Sequence, residues 1–184
     1  MAETPSTMIP LGTKAPDFNL QDAVSNQFFS LNQLKSPHAT VVMFICNHCP
    51  YVKHIQTKLV EVAKTYKAKG VNFVAINSND INAYPQDGPT FMKSEAEQHH
   101  YSFPYLYDET QEVAKAYHAA CTPDLYVFDH DLACVYRGRF DSSTPGNKQP
   151  VTGQDLSDAL DNLLSGSPVN QNQKASVGCN IKWR

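Results

Sequence analysis

The sequence predicts an α/β fold in which a central mixed β-sheet is flanked by helices. Three observations carry that prediction. Thr40-Val41-Val42-Met43-Phe44-Ile45 is an unbroken apolar, β-branched run, the pattern of a strand covered on both faces. After it, Val52, Ile55, Leu59, Val62 and Tyr66 recur at intervals of three and four, which is helical spacing. Val71-Asn72-Phe73-Val74-Ala75-Ile76 then repeats the buried-strand pattern, and strand, helix, strand in that order implies a right-handed crossover between parallel strands.

The other elements follow in chain order. Residues 1–14, with Pro5, Pro10, Gly12 and little periodicity, read as a mobile lead-in. Asp17 to Leu31 reads as a hairpin, Phe18-Asn19-Leu20 against Gln27-Phe28-Phe29, turning around Ser25-Asn26. The helix after the first buried strand spans 50–69 and stops at Gly70. Residues 77–88, rich in Asn, Ser, Asp, Pro and Gly, form a loop, followed by a helix from Thr90 to His99 and a short strand at Tyr105-Leu106-Tyr107. A short helix is expected over Glu109–His118. A second hairpin joins Leu125–Phe128 to Ala133–Arg137 through Asp129-His130-Asp131. A loop with Pro145, Gly146 and Pro150 leads to a last helix, Thr152 to Leu164, and residues 165–184 form a polar tail.

Composition narrows the function classes. The chain has 184 residues, 41% hydrophobic and 18% charged, which fits one globular domain with a sizeable core. A formal charge of −3 with no basic cluster gives no reason to expect nucleic acid as a partner. No apolar run approaches a membrane span, and Met1–Thr7 lacks the charged and apolar regions of a signal peptide, so a cytoplasmic location is the expectation. Five cysteines are odd in number and sparse, unlike a secreted disulfide scaffold, and in a reducing compartment a Cys-x-x-Cys is more often catalytic or metal-binding than structural.

Cys46-Asn47-His48-Cys49-Pro50 sits where the first buried strand hands over to a helix N-terminus. Unpaired N–H groups and the positive end of the helix dipole favour thiolate there. A free thiol with a pKa of about 8.5 is only about 3% thiolate at pH 7, whereas one shifted to about 6 is about 90% thiolate. Cys46 is the expected nucleophile, Cys49 the expected resolving thiol, and a protonated His48 would stabilise the thiolate. Pro50 suits the first helical turn, where its missing N–H has no partner to lose. Zinc held by the pair needs two further ligands, and neither a second Cys-x-x-Cys nor a His-x-x-x-His is present, so no metal and no organic cofactor is expected. His99 and His100, adjacent on a helix, point about 100° apart and read as a solvated face.

The element order, βαβ then helix, β-hairpin and helix, is the thioredoxin arrangement with an added N-terminal hairpin and a helical insertion. The chain resembles the redoxin superfamily of alkyl hydroperoxide reductase/thiol-specific antioxidant (AhpC/TSA) relatives, in its peroxiredoxin-like branch bearing a thioredoxin motif. Ala15-Pro16-Asp17-Phe18, the Cys46–Pro50 motif, Cys121-Thr122-Pro123-Asp124 and the closing Gly178-Cys179-Asn180-Ile181-Lys182-Trp183 carry the resemblance. It implies a thioredoxin-like (redoxin) domain over 15–165, with 166–184 as a tail packing on or near it. It also implies a cis peptide at Thr122-Pro123 facing the dithiol, whose backbone would pair with an extended substrate segment, so that Pro50, Thr122 and Pro123 are the expected substrate-binding residues. Similarity to the Cys-x-His-Cys oxidants of the superfamily assigns His48 the role of making the pair more oxidising.

Two departures from the family pattern matter. Residues 41–45 hold no carboxylate to move protons, so that task falls to water, His48 or another group. The peroxidatic Pro-x-x-x-Thr-x-x-Cys is also absent: placing Cys49 as its cysteine puts Cys46 at the Thr position and Val42 at the Pro position. The resulting expectation is a thiol–disulfide oxidoreductase acting through Cys46 and Cys49 on a protein or small-molecule disulfide or dithiol, re-reduced by a thiol electron donor. Thiol peroxidase and soft-metal binding by Cys46, Cys49 and His48 or Cys121 are its rivals. Cys121, two residues before Pro123, and Cys179, in the tail, are candidate auxiliary thiols; Cys134 alternates with Val135 and reads as core.

Overall fold

A computed structural model describes residues 3–184. In chain order the elements are β1 (Glu3–Pro5), β2 (Asn19–Asp22), β3 (Phe28–Ser30), α1 (Leu31–Leu34), β4 (Ala39–Phe44), α2 (Pro50–Lys67) and β5 (Val71–Asn77). A 3₁₀ turn (Pro85–Asp87) precedes α3 (Pro89–Gln98), β6 (Tyr105–Tyr107), α4 (Glu112–Ala116), β7 (Cys121–Thr122), β8 (Asp124–Phe128), β9 (Cys134–Gly138), α5 (Gln154–Ser165) and β10 (Val177–Asn180). Among the described residues no helix is long and apolar enough to cross a membrane.

The main sheet has seven strands in the order β3-β2-β6-β5-β4-β8-β9. It is mixed. β4 runs parallel to β5 with Val41 opposite Phe73, and antiparallel to β8 with Met43 opposite Leu125. All six residues of β4 are buried because both faces of this central strand are covered. Successive side chains point to opposite faces. Val41, Met43 and Ile45 therefore join Val52, Ile55 and Leu59 of α2 and Leu156 and Leu160 of α5 in one core. Val42 and Phe44 join Phe18, Leu31, Tyr117, Tyr126 and Phe128 in the other. This is the thioredoxin-like architecture the sequence predicted. The helix stop expected at Gly70 is observed close by: α2 ends at Lys67, and Gly70 has φ +88° with the ring of His38 where a side chain would go.

Local chemistry explains where the elements depart from the expected bounds. The first hairpin is displaced to 19–22 and 28–30 because the Asp22 carboxylate accepts from the N–H and hydroxyl of Ser25, fixing the turn early. The helix expected over 109–118 is restricted to 112–116. Asp108 accepts from the N–H groups of Val113 and Ala114, and Gln111 before them is left-handed. Helix α1 was not anticipated, although Ser30 and Gln33 form a reciprocal capping box legible in the sequence.

The largest difference lies at the chain ends. The segment expected to be a mobile lead-in carries β1; its first two positions lie outside the described residues. The tail carries β10, and the two build a second sheet with β7 in the order β1-β10-β7. Glu3 pairs with Cys179 on one side of β10, and Cys179 pairs with Thr122 on the other. The polar composition of both ends concealed strands whose partners are distant in sequence.

Candidate active site

The motif falls at the seam it was expected to occupy. Cys46 lies beyond the end of β4, Cys49 is the N-cap of α2, and Pro50 is its first helical residue. Pro50 is exposed, consistent with a role in starting the helix. The peptide between Thr122 and Pro123 is cis, and Thr122 faces the motif. Its hydroxyl lies 3.6 Å from the Cys46 sulfur, and its carbonyl oxygen lies 3.3 Å from the Cys49 sulfur, positioned to accept from the thiol form.

The local electrostatics favour a thiolate at Cys49 rather than at Cys46, where it was expected. The Cys46 thiol donates to the Cys49 sulfur, which together with burial and the nearby Asp87 carboxylate pushes the Cys46 pKa well up. Cys49 collects that hydrogen bond, a second from Cys179 and the backbone N–H of Val52; these outweigh burial and bring it down to about 5. The surroundings of the pair thus favour charge on Cys49 over charge on Cys46. The helix N-terminus acts as expected, but on the residue that caps it.

His48 is held by a group that sequence reasoning missed. Its Nδ1 lies 2.5 Å from Oδ2 of Asp87 and 4.0 Å from the Cys46 sulfur, and its ring stacks on Tyr84 at 5.2 Å. Asp87 is fully buried, which alone would raise its pKa. Hydrogen bonds from His48, Asn79 and the Asn47 N–H overcome burial and hold it below the ordinary value. Asp87 thus places a buried carboxylate beside His48, where β4 itself offers none. Only its place in a polar loop after the second buried strand hinted at this role.

Cys179 is brought into the site and Cys121 is not. The Cys179 sulfur lies 2.7 Å from that of Cys49. Burial and the neighbouring Cys49 push its thiol up to about 12. Cys121 precedes Thr122 on the same short strand, so its side chain points to the other face, where its thiol meets the Pro123 carbonyl at 3.7 Å and burial raises its pKa. Cys134 is buried in the second core, donating to the Tyr136 carbonyl. All three site sulfurs are covered: Cys46 is 2% exposed, Cys49 0% and Cys179 2%.

Among the described residues, Cys46, His48 and Asp87 offer three ligand atoms within 4.8 Å of one another, as do Asp129, His130 and Asp131 in an exposed turn. The three arginines are engaged elsewhere: Arg137 with the Ile9 carbonyl and Gln173, Arg139 with Asp155, and Arg184 with Asp80. No guanidinium contacts a site sulfur.

A family model described as the AhpC/TSA family matches residues 11–137. No curated protein sequence matches the chain. Among solved structures, an uncharacterized conserved protein from Geobacillus kaustophilus is 58% identical, with a TM-score of 0.99 over 100% of this chain and 97% of that one. A hypothetical protein from Sinorhizobium meliloti 1021 is 46% identical, with a TM-score of 0.96 over 98% of both chains. The thioredoxin domain of a thiol-disulfide oxidoreductase from Bacteroides vulgatus shares the fold at 15% identity, with a TM-score of 0.62 over 81% of this chain and 96% of that one.

Proposed function

The chain belongs to the AhpC/TSA family, and from that premise we propose that it is a thiol–disulfide oxidoreductase whose exchanging pair is Cys46 and Cys49. One observation carries the reading: at the entrance to α2 both sulfurs face Thr122 of the cis Thr122-Pro123 peptide, Cys46 at 3.6 Å from its hydroxyl and Cys49 at 3.3 Å from its carbonyl oxygen. Cys46 is the sulfur beside the half-buried His48, and at 2% exposed it meets an incoming disulfide only when the groups covering it move aside. The Cys49 thiolate takes the Cys46 proton, and the Cys46 thiolate attacks the substrate disulfide and expels one half as a thiolate. That leaving group takes the proton from Cys49, which then attacks Cys46 and releases the second half. The protein's thiol and thiolate become one disulfide while the substrate disulfide becomes one thiol and one thiolate.

The substrate class is a disulfide presented by a peptide or a small molecule, with an external dithiol or thiol restoring the pair. Peroxide reduction is less well supported, because no arginine is available at Cys46 to polarise a peroxide. The cluster of Cys46, His48 and Asp87 favours soft-metal binding as a second reading, and metal analysis of anaerobically purified protein separates the two. The decisive assay is reduction of a model disulfide by wild type, Cys46→Ser and Cys49→Ser. We expect Cys46→Ser to abolish turnover and Cys49→Ser to accumulate a mixed disulfide at Cys46. Full activity in Cys46→Ser would falsify the assignment.

A further inference from the structure

We propose that Cys179 is a third redox thiol of this site: it takes over the disulfide from Cys46 by bonding to Cys49, and in doing so fastens strand β10 across the dithiol. The proposal rests on Cys46 and Cys49 being the exchanging pair and adds what happens after their disulfide has formed. At 2.7 Å the Cys49 and Cys179 sulfurs are inside ordinary non-bonded contact, yet longer than the roughly 2.05 Å of a disulfide bond. Little motion separates them from bonding.

The backbone explains why they are so close. β10 pairs antiparallel with β7, placing Cys179 opposite Thr122 and Asn180 opposite Cys121. The edge of β7 beside the motif is the one on which an extended substrate segment would pair, and the protein's own tail occupies it. Gly178 makes this approach possible: a Cβ there would lie 2.0 Å from the Thr122 carbonyl oxygen. Beyond Cys179 the tail is anchored. The Ile181 N–H donates to Ala120, the Lys182 N–H to the Asn79 side chain, and the Lys182 carbonyl accepts from the Asp80 N–H and the Gln111 amide. Lys182 is itself buried, with its ammonium 5.5 Å over the Tyr84 ring; its charge offsets part of the burial and of the Cys49 contact, which together raise the Cys179 thiol. β10 therefore resembles a tethered substrate with its thiol already against the resolving cysteine.

The step balances without a further oxidant. Substrate reduction leaves a Cys46–Cys49 disulfide. Cys179 gives up its proton and attacks the Cys49 sulfur; the Cys49–Cys179 bond forms, the Cys46–Cys49 bond breaks, and Cys46 departs as a thiolate that takes the proton. The oxidation state of the set is unchanged, and Cys46 is free again.

Peptide mapping of the oxidised protein tests this. Wild type is reduced, treated with one equivalent of a small disulfide, alkylated and digested. We expect the Cys49–Cys179 cross-link to be the main disulfide, with alkylated Cys46. In Cys46→Ser treated with the oxidant diamide, the same cross-link should form. In Gly178→Ala, which keeps all three thiols but drives β10 from Thr122, it should give way to Cys46–Cys49. Wild type holding only Cys46–Cys49 overturns the relay and leaves the dithiol reading standing. Absence of the cross-link in diamide-treated Cys46→Ser overturns the relay without reference to that reading, and wild type with no disulfide at all overturns both.

Discussion

Asp87 shows how one side chain governs a cluster of sulfurs it does not touch. Its Oδ1 accepts from the N–H groups of Asn47 (2.8 Å) and His48 (3.3 Å), and its Oδ2 accepts from the Asn79 amide at 2.9 Å and meets His48 Nδ1. The motif backbone is thereby fixed by a carboxylate rather than by regular secondary structure. The same negative charge opposes ionisation of Cys46. Asp87→Asn keeps Oδ1 in place and removes the charge, so Cys46 should ionise at lower pH, and its alkylation profile should move to lower pH. The lost contacts at Oδ2 should cost about 1–3 kcal/mol in stability, because the buried partners are left unpaired. An unmoved alkylation profile would mean the carboxylate acts on backbone geometry alone.

At the scale of elements, helices α2 and α5 are held by the same face of β4. Leu156, Ala159 and Leu160 of α5 are buried there beside Val41 and Met43, and the Tyr66 hydroxyl of α2 donates to Asp161 of α5 at 2.6 Å. Leu160→Ala should leave a cavity and cost about 2–5 kcal/mol, visible as a lower urea midpoint with the slope unchanged. An unchanged midpoint would mean α5 lies outside the cooperative core. These elements were legible in the sequence because their signals are local: β-branched runs give β4 and β5, and three-four spacing gives α2. The motif was legible too, since a thiol pair at a strand–helix seam has few other uses. The small sheet was hidden because β1, β7 and β10 have two to four residues each, too short for periodicity, and gain their identity from one another. Asp87 was hidden for the same reason, as it acts on His48, 39 positions away, whereas Cys179 was visible as a candidate auxiliary thiol but not the choice of Cys49 as its neighbour.

Across the whole molecule, the two sheets meet at β8, and Asp124 is the group that joins them. Its carboxylate accepts from the Ser6 hydroxyl at 2.9 Å and from the Tyr126 hydroxyl at 3.3 Å. Ser6 in turn exchanges backbone and side-chain hydrogen bonds with Ser176, just before β10. Burial is the dominant influence on Asp124 and lifts it to about 7, despite the hydrogen bonds that favour its charge. The folded protein therefore holds a proton here that the unfolded chain releases near the ordinary Asp value. Between that value and about 7 the native state binds more protons, so this group's contribution to stability falls as pH rises, and it levels off above about 7. Asp124→Asn is neutral throughout and should flatten that slope. Its advantage over wild type should grow across the window to at most a few kcal/mol, less what is lost in hydrogen-bond geometry. Thermal melts of both proteins from pH 4 to 8 would show the difference; parallel curves would mean Asp124 is ionised in the native state throughout, with Ser6 and Tyr126 compensating fully for burial.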